Sequence, residues 1–176
     1  MCNTSILLDR NRLFASDYSS TDLTPMPKLR TIILACVDAR VDPAHILGLK
    51  LGEACVLRNN GGRVTQVVID EIGALAFMSA MADESEPRPF ELVLLQHTQC
   101  GAERFADPGF QTALKAKTGL DVAHVAISDH EQSLQEDIER LRTAPEVPGK
   151  IVASGYMYDV QHGNVREVIA PAALAP

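Results

Sequence analysis

Two short polar segments of this 176-residue chain carry its chemistry. Cys36-Val37-Asp38-Ala39-Arg40 sets a thiol, a carboxylate and a guanidinium on alternate positions, and His97-Thr98-Gln99-Cys100-Gly101 supplies an imidazole and a second thiol. Cys36, His97 and Cys100 are good zinc ligands, and a zinc held by three protein groups keeps a fourth position for water, the pattern of catalytic sites. There the metal lowers the pKa of water to about 7, so that hydroxide exists at neutral pH. Two thiolates place more negative charge on the metal than imidazoles would and make its water less acidic, which gives weight to the groups around them.

Asp38 and Arg40 are those groups. Residues two apart point the same way on an extended segment, and an arginine grips a carboxylate through two parallel hydrogen bonds. Arg40 would hold Asp38 ionised beside the metal. Asp38 then either accepts the hydrogen of the hydroxide and leaves an oxygen lone pair facing a substrate, or binds zinc itself as a fourth ligand and closes the site. The second state suits a noncatalytic protein whose metal only stabilises the fold.

Both segments follow apolar runs. Thr31–Cys36 reads as a strand buried on both faces, of the parallel-sheet type, and Phe90–Gln96 as another, centred on Leu92-Val93-Leu94-Leu95. In open α/β sheets ligands bind beyond the carboxyl ends of strands. Between the two runs, Asp42-Pro43 opens a brief helix, and Ala54–Arg58 is a strand stopped by Asn59-Asn60-Gly61-Gly62. Val68, Ile72, Leu75, Ala76 and Ser79 then recur at helical spacing over residues 65–82. Downstream, residues 109–117 form a short helix and 122–127 a strand or an extended loop. Ser128-Asp129-His130-Glu131 has the form of a capping box ahead of a helix over 129–143. Residues 150–159 and 165–169 flank a hairpin turn at Gln161-His162-Gly163-Asn164. The pattern predicts an α/β fold, a single domain with a central, mainly parallel sheet flanked by helices and a C-terminal antiparallel hairpin. Residues 1–28 read as an N-terminal arm and loop, in which Ile6, Leu7, Leu8, Leu13 and Phe14 form an apolar face, and 29–176 as the zinc domain.

Composition narrows the function classes. With 16 Lys and Arg against 23 Asp and Glu, the net charge is −7, which disfavours a nucleic-acid partner. Four cysteines are too few for a disulfide scaffold at this length, and no signal peptide or membrane-spanning run is visible. The expectation is a cytoplasmic protein. No Cys-x-x-Cys, Gly-x-Gly-x-x-Gly or phosphate loop supports a redox or nucleotide enzyme. Cys55, inside a strand, reads as core, and Cys2 as an exposed thiol. His45, His124, His130 and His162 are candidate proton shuttles by chemistry alone, with His130 and His162 expected on solvated surface. Asn60, Gly61 and Gly62 make a tight turn whose glycines would also let backbone approach a substrate.

Cys36-x-Asp38-x-Arg40 followed by His97-x-x-Cys100-Gly101 resembles the paired signature of the β-carbonic anhydrases. Arg58-Asn59-Asn60-Gly61-Gly62 resembles that family's Arg-Asn-Ala-Gly loop, with Asn60 where Ala is usual, and Gly155-Tyr156-Met157-Tyr158-Asp159 is similar to its short, minimal members. The resemblance implies zinc-dependent, reversible hydration of carbon dioxide to bicarbonate by zinc-bound hydroxide. It also implies a homodimer or larger homo-oligomer, with the N-terminal arm on a partner and the pocket near the subunit interface. The minimal subgroup includes hydrolases of carbonyl sulfide, and relatives use carbon disulfide, so these linear molecules are alternative substrates.

Overall fold

In the computed structural model, which describes residues 2–20, 22–82 and 88–175, five strands form one sheet in the order β2-β1-β3-β4-β5. They are β1 (Thr31–Cys36), β2 (Ala54–Asn59), β3 (Glu91–His97), β4 (Val152–Tyr158) and β5 (Val165–Ala173). The first four run parallel, and β5 returns antiparallel beside β4. The chain passes from β1 to β2 on one side and then to β3 on the other. Such a reversal of strand order opens a crevice at the carboxyl ends of the two strands flanking it. Ala35 pairs with Leu95, so β1 and β3 deliver Cys36 and His97 to that crevice side by side.

Alternation along the strands divides the core. Ile32 and Leu34 of β1 and Leu92 and Leu94 of β3 face the larger cluster, with Val68, Ile69 and Ile72 of α3 (Gln66–Ala82) and Leu134, Ile138 and Leu141 of α5 (His130–Thr143). Ile33, Ala35 and Leu95 face a smaller cluster with Val41 and Tyr158. A third cluster holds Cys36 and Cys100 with Ala102 and Ile127. Two shorter helices, α2 (Pro43–Ile46) and α4 (Pro108–Thr118), each begin at proline behind an aspartate cap, Asp42 and Asp107.

Three expectations shift. Residues 122–127 hold neither a strand nor a wholly extended loop but a 3-10 turn over Ala123–Val125, because Val125 and Ile127 anchor in the interior without a strand to pair with. Helix α5 is capped by Asp129, whose carboxylate accepts from the Gln132 amide at 2.8 Å, one residue past the expected Ser128. Strand β5 runs on through Pro171 to Ala173, which its place at the sheet edge permits. Among the described residues, the apolar side chains of α1 (Asn3–Ser16) are left largely open: Leu7 is 61% and Leu13 71% exposed, and the helix buries none of its residues. Among the described residues no helix is long and apolar enough to cross a membrane.

The turn after β2 is held by a buried ion pair. Asn59 closes it by accepting from the Arg63 amide at 2.9 Å and donating to the Arg63 carbonyl at 2.7 Å. The Arg63 side chain then crosses to α5, donating to Asp137 at 2.8 Å and to the Ala126 carbonyl at 2.6 Å. Gly61 and Gly62 sit at positive φ, 79° and 61°, and a Cβ on Gly62 would lie 3.0 Å from the Ala35 carbonyl carbon. The turn therefore lies directly against the end of β1. Burial pushes the Asp137 carboxyl up, against the pull of Arg63. The pair is thus costly to bury and costlier to break. Arg63→Met should lower unfolding stability by about 3–5 kcal/mol, whereas Arg63→Met with Asp137→Leu should recover most of that loss. Denaturant midpoints of the two variants test this; a double variant as unstable as the single one contradicts it.

Candidate metal centre

Cys36 ends β1, His97 ends β3, and Cys100 follows one tight bend later, where Gln99 takes a positive φ of 57°. Their ligand atoms all lie within 4.8 Å of one another, and all three residues are buried. The two sulfurs are 3.8 Å apart. The His97 ring is oriented by its Nδ1, 2.9 Å from the Thr98 carbonyl oxygen. A carbonyl only accepts, so Nδ1 carries the proton and Nε2 presents a lone pair. That Nε2 is fully buried and has no hydrogen-bond partner. An orphaned acceptor at the focus of two thiols is costly without an electrophile, and this donor set fits zinc.

The thiols are unequal. The hydrogen bond with Cys100 pulls the Cys36 thiol down, against burial, with help from the amides of Asp38 and Gly61. The same bond, with burial, pushes Cys100 up. The first proton leaves readily; the second leaves beside an existing thiolate. A cation between the sulfurs removes that opposition, so metal binding and loss of the second proton are coupled.

Asp38 stands at the edge of this group, its Oδ2 4.0 Å from His97 Nε2. Arg40 holds it through both oxygens, Nε to Oδ1 at 3.0 Å and Nη2 to Oδ2 at 2.7 Å, and the Arg40 amide adds a third bond at 2.9 Å. The hydrogen bonds from Arg40 keep the Asp38 carboxyl well below the ordinary carboxylate range, although burial opposes them. Arg40 is itself tied to the Gln99 carbonyl at 3.0 Å, which links the two segments. Arg58 clamps the first segment from beneath, donating to the carbonyls of Cys36 and Asp38 at 2.9 and 2.8 Å.

The remaining candidates separate. Gly61 and Gly62 are buried against the metal group, Gly61 packing on Ala102 and Ile127. Asn60 is exposed and lines a groove of about 640 Å³ with Leu57, Asn59, Val68, Leu120 and His124. His45 is exposed on α2, and His162 is exposed and bonded to Asp159 at 2.7 Å. Cys55 packs half-buried on the main core, where burial pushes its thiol up; Cys2 is exposed. His130 departs from expectation: instead of lying on solvated surface it turns inward from the first turn of α5, with 17% of its side chain exposed. Its Nδ1 is 2.6 Å from Gln96 Oε1 and its Nε2 3.1 Å from Glu103 Oε1. Glu103 in turn accepts from the Cys100 amide at 3.0 Å. Arg58, Arg63, Gln96, Glu103 and Asp137 were not singled out as site residues from the sequence. Arg58 stands inside the Arg-Asn-Asn-Gly-Gly stretch, and Cys100-x-x-Glu103 has the spacing of a capping box; those were the available signals.

The profile of the family described as Carbonic anhydrase matches residues 31–147. The chain is 33% identical over 171 residues to beta-carbonic anhydrase 1 of Mycobacterium tuberculosis, covering 96% of this chain and 99% of that protein. It is 26% identical over 160 residues to a carbon disulfide hydrolase of Acidithiobacillus thiooxidans, covering 78% of this chain and 76% of that one. Among solved structures, the carbonic anhydrase of Streptococcus mutans superimposes with a TM-score of 0.79 at 35% identity, over 96% of this chain and 98% of its own. With a Cys-His-Cys zinc site at the switch point of its sheet, this chain belongs to the β-carbonic anhydrase family.

Proposed function

We propose that the chain catalyses reversible hydration of carbon dioxide with Cys36, His97 and Cys100 as zinc ligands and Asp38 and Arg40 as the catalytic pair. The observation that carries this reading is the buried, unpartnered His97 Nε2 between two thiols, with Asp38 held beside it by Arg40. Zinc, when bound, would act as a Lewis acid that lowers the pKa of a coordinated water. Asp38 stays ionised and offers an acceptor at the edge of the group, orienting the attacking water so that an oxygen lone pair faces the substrate carbon. Arg40 fixes that acceptor and keeps it from moving onto the metal. Three hydrogen bonds from one residue hold Asp38, which favours this open arrangement over a closed, purely structural site. Gly61 and Gly62 admit backbone close to the sulfurs, and Asn60 precedes them in the same turn; we assign these three to the substrate side.

We also propose that the working form is at least a dimer. A lone helix of 14 residues with an exposed apolar face is marginal in water, so α1 draws its packing from a second copy. Light scattering should show a dimer or larger species for the full chain, and a smaller one when residues 1–20 are removed. A monodisperse full-length monomer contradicts this.

Purified protein should hold about one zinc per chain by elemental analysis. Cys36→Ser and Cys100→Ser should lose it. Because Cys100 gives up its proton only beside an ionised Cys36, zinc affinity should fall as pH drops, and a pH-independent affinity contradicts the two-thiolate site.

Arg40→Ala and Asp38→Ala should keep zinc near the wild-type level while turnover falls roughly a hundredfold or more. If Asp38 is instead a structural ligand, Asp38→Ala loses metal and melts earlier. Stopped-flow assay with carbon dioxide, beside gas assays with carbonyl sulfide and carbon disulfide, reads both the role of the pair and the substrate. Wild-type turnover in both variants removes the pair from the mechanism.

A further inference from the structure

We propose that His130 is a positioning residue of the zinc site, acting from α5 on the segments that carry His97 and Cys100. Gln96 immediately precedes His97 and is fully buried. As the residue that continues the row Leu92, Leu94, it faces the cluster to which α5 contributes. His130 meets it there at 2.6 Å, and on its other ring nitrogen meets Glu103 at 3.1 Å. Glu103 accepts from the Cys100 amide at 3.0 Å. A continuous chain of bonds, Gln96 to His130 to Glu103 to the amide of Cys100, thus spans the bend between two ligands.

An ionised carboxylate only accepts, so His130 Nε2 carries a proton toward Glu103. The Gln96 amide leaves its Nε2 buried without a partner. Turned about its own axis, an orientation of the same shape, Gln96 donates to Nδ1 of a neutral His130, and the buried atom without a partner is then its oxygen. Either way, among the described residues, the imidazole alone joins the residue before His97 to the carboxylate gripping Cys100. Groups that orient metal ligands from behind change metal affinity by about 10–100-fold when removed.

This inference rests on the zinc reading above. The test uses the full-length protein and three variants: His130→Phe fills the space without hydrogen bonds, His130→Gln keeps a donor, and Glu103→Gln weakens the carboxylate end. Zinc dissociation constants come from chelator competition at fixed pH. The visible spectrum of cobalt-substituted protein reports the geometry around the metal, and melting of the metal-free protein reports the fold alone. His130→Phe should weaken zinc binding about tenfold or more and shift the cobalt bands, and His130→Gln should recover most of the loss. Combined with Glu103→Gln, the losses should be less than additive, since both break one chain of bonds. Unchanged zinc affinity and an unchanged cobalt spectrum in His130→Phe overturn the proposal, as does a His130→Gln variant no better than Phe. If His130→Phe does not fold, Glu103→Gln carries the comparison: it should weaken zinc binding and shift the cobalt bands, and wild-type values in it overturn the proposal. Wild-type protein that takes up no zinc defeats the underlying reading instead, and the two failures are distinct.

Discussion

Two thiols 3.8 Å apart in an apolar cluster cannot both ionise without a cation beside them. Much of the surrounding architecture answers that constraint. The amides of Asp38 and Gly61 point at Cys36, and that of Ala102 at Cys100, so backbone dipoles partly offset the thiolate charge. The switch point of the sheet brings the sulfurs and the imidazole together at strand ends, where backbone groups leave the ladder and become free to do this. Asp38 adds a further negative charge at the rim, and Arg40 balances it locally.

Rigidity at the site is obtained from long-range polar contacts rather than from tight apolar packing alone. Arg58 holds the backbone of the first segment, Arg40 ties it to the second, and Arg63 anchors the glycine turn to α5 across 74 residues of sequence. Each of these bonds spans separate elements, so a displacement at one is felt at the others. The Arg63–Asp137 pair is buried, and such pairs add little net stability; together the three contacts fix the relative placement of loops that carry the ligands.

The three strands that deliver the site were legible because apolar, β-branched runs end abruptly in polar residues, and Thr31–Cys36 is recovered with its bounds intact. The ligand set was legible from residue type and order. What escaped was pairing at a distance. Arg63 reads as an ordinary cation after a turn and Asp137 as one acid among several on an amphipathic helix; only the fold makes them partners. His130 misled for a related reason. First-turn residues of a helix are mostly solvated, yet this ring reaches back to the buried Gln96 of β3. Residues 122–127 escaped because short apolar runs anchor turns as well as strands.

The parallel pairing of β1 with β3 sets the order of events in the life of the molecule. Cys36 and Cys100 are 64 positions apart and meet only once two strands that are not consecutive in sequence have paired across an intervening strand and its flanking helices. Contacts of that range form late, after the entropy of a long loop has been given up. No partial assembly of the N-terminal half holds the complete ligand set. Metal capture therefore follows sheet formation, and the ion then acts as a staple across that long loop, slowing the separation of the strands that brought its ligands together.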